Sequence, residues 1–452
     1  MTLVGPAPTP TQTATPRAAP PAGSHRDRSI DLARAFCLVV VVALHSMMVG
    51  VSIGPHGPLL ENALENRDWF APVSWVVQVM PLFFIVGGYS SITHWRRMRE
   101  RGHSASDYVS ARIHRLLTPT LAVIATAGTS LLVMSMSGVP AEIVATAGFR
   151  LSQPLWFLGV YVLCSAAVPL LVRLHESRPV ATLGVLLGAI AAVDTIRFIS
   201  GIEAIGFLNL LFVWLCVQQL GFWLADNRFE GLSRTARIQL GVNALLALLV
   251  LSIGGPYSLD MIENLNPPTL CLVLLGLAQL CAFTLVRDRL RLLAEHPRAK
   301  AIMDGINTRS MTIYLWHMPV LLVFAAILLL AQISLPAPVT GDWWATRPLW
   351  LAAVGLALIP VVRLTGRLEN MRLAMPFLGT STPVRVRTGI AVLLGAGGVL
   401  VLLVTGLSLV GIGIALVMMT SAVLLATLRL AAARAPARAA TQIYADGRIH
   451  RH

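Results

Sequence analysis

The chain has 452 residues, 56% of them hydrophobic and only 12% charged, with a formal net charge of +14. Soluble domains carry about a quarter charged residues, so this composition excludes an ordinary soluble protein and makes lipid the solvent. The basic residues lie in short connections between apolar runs rather than along one face, so no nucleic-acid partner is expected.

Residues 1–24, rich in Pro, Ala and Thr, read as a disordered cytoplasmic tail. The first apolar stretch begins near Phe36, too late for a typical cleavable signal. Several later runs reach the roughly 20 residues that cross a bilayer. Hydrocarbon offers no partner to a backbone polar group, so such runs must be helices, and the short alternating strands of a barrel are not seen. Twelve helices are predicted, at 30–51, 71–92, 116–137, 154–173, 180–199, 205–225, 238–255, 269–287, 310–332, 348–365, 388–407 and 411–430, the last two by splitting one apolar stretch at Gly406–Gly413. With the N-terminus in the cytoplasm, alternate connections hold every Lys and Arg except Arg67, Arg150, Arg197 and Arg347.

The predicted fold is therefore all-α, a polytopic transmembrane helical bundle of about 12 helices, N-in and C-in, in the inner (plasma) membrane. Its expected divisions are the tail 1–24, a membrane domain 25–370, an additional hairpin 371–430 and a cytoplasmic tail 431–452. The five cysteines fall inside apolar spans without CxxC spacing and read as small buried hydrophobes. There is no internal repeat of the kind many transporters carry.

The first span, SIDLARAFCLVVVVALHSMMVG, carries Asp31, Arg34 and His45. At about 100° per residue, Arg34 and His45 lie about 20° from alignment after three turns, with Asp31 near the same stripe. The rise sets His45 about 16 Å deeper than Arg34. Intramembrane ionisable residues default to a functional reading. His45 is then either a general base for a hydroxyl or a histidine bonded between helices. Asp31 and Arg34 fit a structural i,i+3 pair equally well.

The connection WRRMRERGHSASDYVSARIHRLLTP holds Arg96, Arg97, Arg99 and Arg101, which read mainly as positive-inside anchors. Arg112 and Arg115 share a face at the mouth of the third span, where two guanidiniums suit a phosphate or pyrophosphate and also suit anchoring. The run MTIYLWHMPVL places Tyr314 and His317 near the cytoplasmic end of the ninth span, where they read as an interfacial aromatic and a packed histidine or else as part of a site. Asp194 and Arg197 are predicted to pair with each other, or else to contact a substrate. Trp343 and Trp344 read as an outer aromatic belt, or else as a platform for a sugar. No P-loop, GxSxG, HExxH or Cys/His metal spacing is present, so no metal and no bound cofactor are expected.

Five of these segments, taken in order, resemble the acyltransferase-3 family of integral membrane acyltransferases. They are IDLARA followed by Arg34, ten residues and His45; PLFFIVGGYSS, with Gly87 where serine is common; Arg112 and Arg115 as RxxR; PLWFLGVYVL; and SMTIYLWH. The resemblance covers residues 30–320, and the last two predicted helices look like additions to a ten-helix core. It implies transfer of an acyl group, often acetyl, from cytosolic acyl-CoA to a hydroxyl of a glycan, glycolipid or natural product outside the cytoplasm. His45 would be the catalytic histidine, with Asp31 a second catalytic candidate. Arg34, Arg112 and Arg115 would hold the donor, and Trp156, Tyr314 and His317 in the matched segments are candidate substrate contacts. The competing expectation is a transporter or flippase using His45, Asp194 and Arg34 in a water-filled cavity.

Overall fold

The computed structural model describes residues 27–54, 57–65, 67–333, 336–367 and 382–432. The predicted tail 1–24, residues 433–452 of the predicted tail 431–452, and residues 368–381 lie outside them. Twelve helical segments are long and apolar enough to cross a membrane, one for each predicted span.

The chain enters α1 (Arg28–Met48), whose N-cap Asp27 accepts from the Ser29 amide at 3.0 Å. Helix 1 ends three residues earlier than predicted, because Val49 is the first residue of a strand. β1 (Val49–Gly54) pairs antiparallel with β2 (Gly57–Asn62), from Val49 opposite Asn62 to Gly54 opposite Gly57. The predicted pattern had no strand, and this hairpin is the only sheet among the described residues.

The second span is two helices, α2 (Phe70–Val77) and α3 (Met80–Glu100), broken at Gln78–Val79. A break in hydrocarbon frees backbone groups that must find partners. Gln279 supplies them: its Nε2 donates to the Gln78 carbonyl at 2.8 Å, and its Oε1 accepts from the Leu82 amide at 3.0 Å. Helix α4 (Ala105–Met136) begins eleven residues before the predicted start. A capping box between Ser104 and Asp107 nucleates it on the polar side, where hydropathy is blind.

The fourth span is a short α5 (Ala141–Ser152) turning at Gln153–Pro154 into α6 (Leu155–Ser177). Helix α7 (Pro179–Ser200) leads outward; the single turn α8 (Glu203–Gly206) and α9 (Asn209–Ala225) lead back. Helices α10 (Arg234–Gly254) and α11 (Leu270–Glu295) follow, then α12 (Pro297–Thr308), α13 (Ser310–Leu330) and α14 (Gly341–Thr365). The last pair, α15 (Val384–Thr405) and α16 (Leu409–Ala432), turn at Gly406, whose φ of +62° is the left-handed region that favours glycine. That break falls at the predicted split.

Without a hydrophobic drive between helices, packing in lipid favours small residues at contacts. Helices α3 and α9 show it: a Cβ on Gly88 would lie 2.3 Å from the Gln218 carbonyl, and one on Gly221 would lie 2.1 Å from that of Ile85. The terminal hairpin is equally built in. Val399 fills the space beside Gly159 of α6, Ile412 that beside Gly128 of α4, and the Leu407 amide bonds the Gly148 carbonyl of α5 at 3.3 Å.

Two ion clusters brace the cytoplasmic side. Buried Arg287 of α11 holds Asp27 at 2.6 Å and also bonds Glu230, while Arg291 reaches Asp27 at 3.0 Å. Burial alone would raise the Asp27 carboxyl; hydrogen bonds from Arg291 and Ser29 and the charges of Arg287 and Arg291 outweigh it and hold the group well below the usual carboxylate range. In the second cluster Arg96 binds Asp226 at 2.6 Å and Glu176 at 3.0 Å, and Arg99 joins Glu176. These two arginines, predicted mainly as interfacial anchors, are cross-links between helices.

The α3–α9 contact gives a direct test. Gly221→Ala forces backbone against backbone and is expected to destabilise by about 1–3 kcal/mol, read as a lower unfolding temperature in detergent. Gly184→Ala, with open space around its Cβ, leaves that temperature unchanged or slightly higher. Equal effects at both positions would contradict the close approach.

Candidate active site

The first helix brings His45 to within a turn of its outer end, and α13 brings His317 against it. His45 Nδ1 and His317 Nε2 are 2.7 Å apart. The ring planes lie 8° from parallel with centroids 4.9 Å apart. With that short N···N contact, the rings meet edge to edge in nearly one plane rather than face to face.

The third partner sets the protons. His317 Nδ1 faces the Tyr314 carbonyl at 2.5 Å, and a carbonyl can only accept. With both rings neutral, His317 therefore carries its proton on Nδ1 and offers a lone pair at Nε2. His45 must then donate from Nδ1, which leaves its own Nε2 as an open lone pair. The chain carbonyl–His317–His45 thus fixes both tautomers, as a carboxylate does for the base of a hydrolytic triad.

Two cavities meet at His45. The inner one, about 330 Å³, is lined by Arg34, Ser90, His94, Arg112, Arg115, Trp156, Tyr161 and Tyr314, among others. Arg34 donates to Ser90 Oγ at 2.5 Å. Arg112 lies over the Tyr108 ring, 5.1 Å from its centroid, and its buried Nε has no hydrogen-bond partner among the described residues. Arg115 is exposed at the cytoplasmic edge. No Asp or Glu lines this cavity among the described residues. Three guanidiniums facing one space without a lining carboxylate form a receptor for an anion. The second cavity, about 610 Å³, lies outward of the first, and His45, Met48, Pro154, Trp156, Ile262 and Leu265 line both.

The structure brings Arg34, Arg112, Arg115, Trp156, Tyr314 and His45 to one continuous space. Tyr314 also donates its hydroxyl to the Pro154 carbonyl at 2.5 Å, holding the α5–α6 turn in place. Of the two readings of His317, its surroundings match the packed histidine rather than the substrate contact. It is fully buried, lines neither cavity, and spends both ring nitrogens on His45 and Tyr314. Asp31 is buried one turn before Arg34, about 21 Å along α1 from His45, too far to touch it; its carbonyl accepts from Asn307.

Asp194 does not pair with Arg197, which binds Glu203 at 2.6 Å. Its carboxylate takes hydrogen bonds from Asn209, Tyr257 and the Leu270 amide at 2.8, 3.0 and 3.0 Å, and lines neither cavity. A transporter reading therefore loses one of its three residues. Trp343 is buried rather than belted in an outer loop, packed with Ala63, Leu64 and Phe70 and carrying Arg347 over its ring at 4.5 Å. It holds the hairpin base in place.

Sequence reasoning overlooked Ser90, His94 and Tyr161. The first two stand one turn apart on α3, a polar i,i+4 pair just inside the basic end of the helix, and that spacing was the available signal. Gly87 leaves room for a side chain, the nearest atom being Tyr161 at 4.0 Å; the hydroxyl that meets Arg34 comes instead from Ser90. Among the described residues no group of three His, Cys, Asp or Glu could hold a metal.

An acyltransferase domain model of the acyltransferase-3 family matches residues 27–365, and the chain belongs to that family. It is a multi-pass membrane acyltransferase. No curated protein and no solved structure matches it.

Nitrogen NMR of histidine-labelled protein in detergent tests the proton chain. His45 is expected as the Nδ1–H tautomer, a preference lost in His317→Leu and kept in His317→Gln, whose amide oxygen can accept in place of the imidazole. A His45 proton on Nε2 in the wild type would contradict the assignment.

Proposed function

We propose that the protein moves an acyl group, acetyl in the simplest case, from cytosolic acyl-CoA to a hydroxyl on an extracytoplasmic glycan, glycolipid or natural product. The observation that carries this reading is the inner cavity, cationic at its cytoplasmic side and ending at the open Nε2 of His45. The phosphates of CoA sit among Arg34, Arg112 and Arg115. A pantetheine arm is a chain of about a dozen single bonds, comparable to four extended residues or about 14 Å. Arg34 and His45 are about 16 Å apart along α1, so an arm anchored at the arginines delivers its thioester to the histidine.

The acceptor hydroxyl comes from the outer cavity. His45 Nε2 takes its proton as the oxygen attacks the thioester carbonyl. The tetrahedral intermediate collapses, the carbon–sulfur bond breaks, and the protonated His45 returns its proton to the leaving thiolate. Ester and free CoA are the products. His317 is a positioning residue that holds the base in its working tautomer. Asp31 supports Arg34 rather than the reacting atoms. The membrane is the plasma membrane, with the donor on the side richer in Arg.

Proteoliposomes carrying wild type or variants are supplied with radiolabelled acetyl-CoA and, separately, longer acyl-CoAs, in the presence of cell-envelope lipids and glycans. His45→Ala is expected to slow label transfer by about 10²–10⁴-fold while donor binding persists. Arg112→Gln weakens donor binding by about tenfold or more, as loss of a charge-assisted hydrogen bond does. Correctly inserted wild type that binds none of these thioesters would refute the reading.

A further inference from the structure

The outer cavity has a division of its own. Its polar lining residues Asn62, Arg150, Gln153 and Asn266 lie on or beside the outer connections between spans. Much of its apolar lining comes from two spanning helices, Met318 and Leu322 of α13 and Leu400, Leu403 and Val404 of α15. Leu400 and Val404 are 59% and 78% exposed. They lie within two turns of the outer end of a membrane helix, where the surroundings are acyl chains, so the cavity opens sideways toward the outer leaflet. His45 sits at the same level, one turn from the outer end of α1.

A free, water-soluble polyol gains nothing from such walls, because each unpaired hydroxyl placed against them costs free energy. An amphiphile matches both halves. Its hydroxyl-bearing head lies between His45 and the polar connections, and its hydrocarbon tail lies along α13 and α15. Helix α15 falls outside residues 27–365, the extent of the family match. Resting on the acyl-transfer reading above, we propose that the acceptor is a membrane-dissolved amphiphile that reaches His45 laterally from the outer leaflet, and that Leu400, Leu403 and Val404 of α15 form the wall that selects its apolar part.

The test uses the full chain in nanodiscs with radiolabelled acetyl-CoA. Envelope material from cells that make the protein is split into an organic-soluble lipid fraction and a water-soluble glycan fraction. Label is expected in the lipid fraction. Leu400→Trp and Val404→Trp, both at exposed positions that tolerate bulk, narrow the opening and are expected to lower transfer about tenfold with acetyl-CoA affinity unchanged. Leu393→Trp, exposed on the same helix but away from the lining, leaves transfer as in the wild type. Label only in the water-soluble fraction, or tryptophan variants that transfer at the wild-type rate, overturns the proposal while the acyl-transfer reading stands. No transfer to either fraction, with donor binding intact, overturns both.

Discussion

Polar atoms in a membrane need partners, and the 2.7 Å contact between His45 and His317 satisfies two of their four ring nitrogens at once. It fixes where α1 and α13 cross. Because α1 is one rigid helix, it also fixes Arg34 three turns away, in the inner cavity. The Tyr314 carbonyl closes the arrangement at one end and leaves a single open nitrogen at the other. Both cavities meet at His45 because that nitrogen's surroundings are not filled by protein. The arrangement where the cavities meet thus follows from satisfying polar groups in hydrocarbon.

Elsewhere the same rule explains the irregularities. The break between α2 and α3 is tolerated because Gln279 caps both exposed strands of backbone chemistry, and the α5–α6 turn because the Tyr314 hydroxyl reaches Pro154. Each irregular point borders the site. Regular helices carry the load of spanning, and the breaks shape the space in which ligands fit. The glycine contacts between α3 and α9 draw those helices close enough for the shaping side chains to meet.

All twelve spans were legible in the sequence, since hydropathy and charge alternation are one-dimensional signals. The stripe of Arg34 and His45 was equally legible, being a matter of helical period. The partnership of His45 with His317 was not: 272 residues separate them, and nothing local to either indicates which ring faces the other. The same limit misassigned Asp194 to Arg197. The i,i+3 spacing was right, but three donors from α9, the α10–α11 connection and α11 offered better geometry. Trp343 was read from its neighbours as an outer-loop residue, whereas α14 begins at Gly341 and turns its ring inward. Helix starts on the polar side, as at Ser104, escaped a reading built on apolar runs.

The terminal hairpin also bears on how the protein is made. Chains are synthesised from the N-terminus, so α15 and α16 join after α1–α14. By then both histidines and all three cavity arginines have already been placed. A nascent bundle therefore holds its chemical groups before it holds a complete chamber. The Leu407–Gly148 bond, with Val399 against Gly159 and Ile412 against Gly128, closes that interval. In the order of synthesis, the α15 wall of the outer cavity therefore follows the histidines and arginines that line the space beside it.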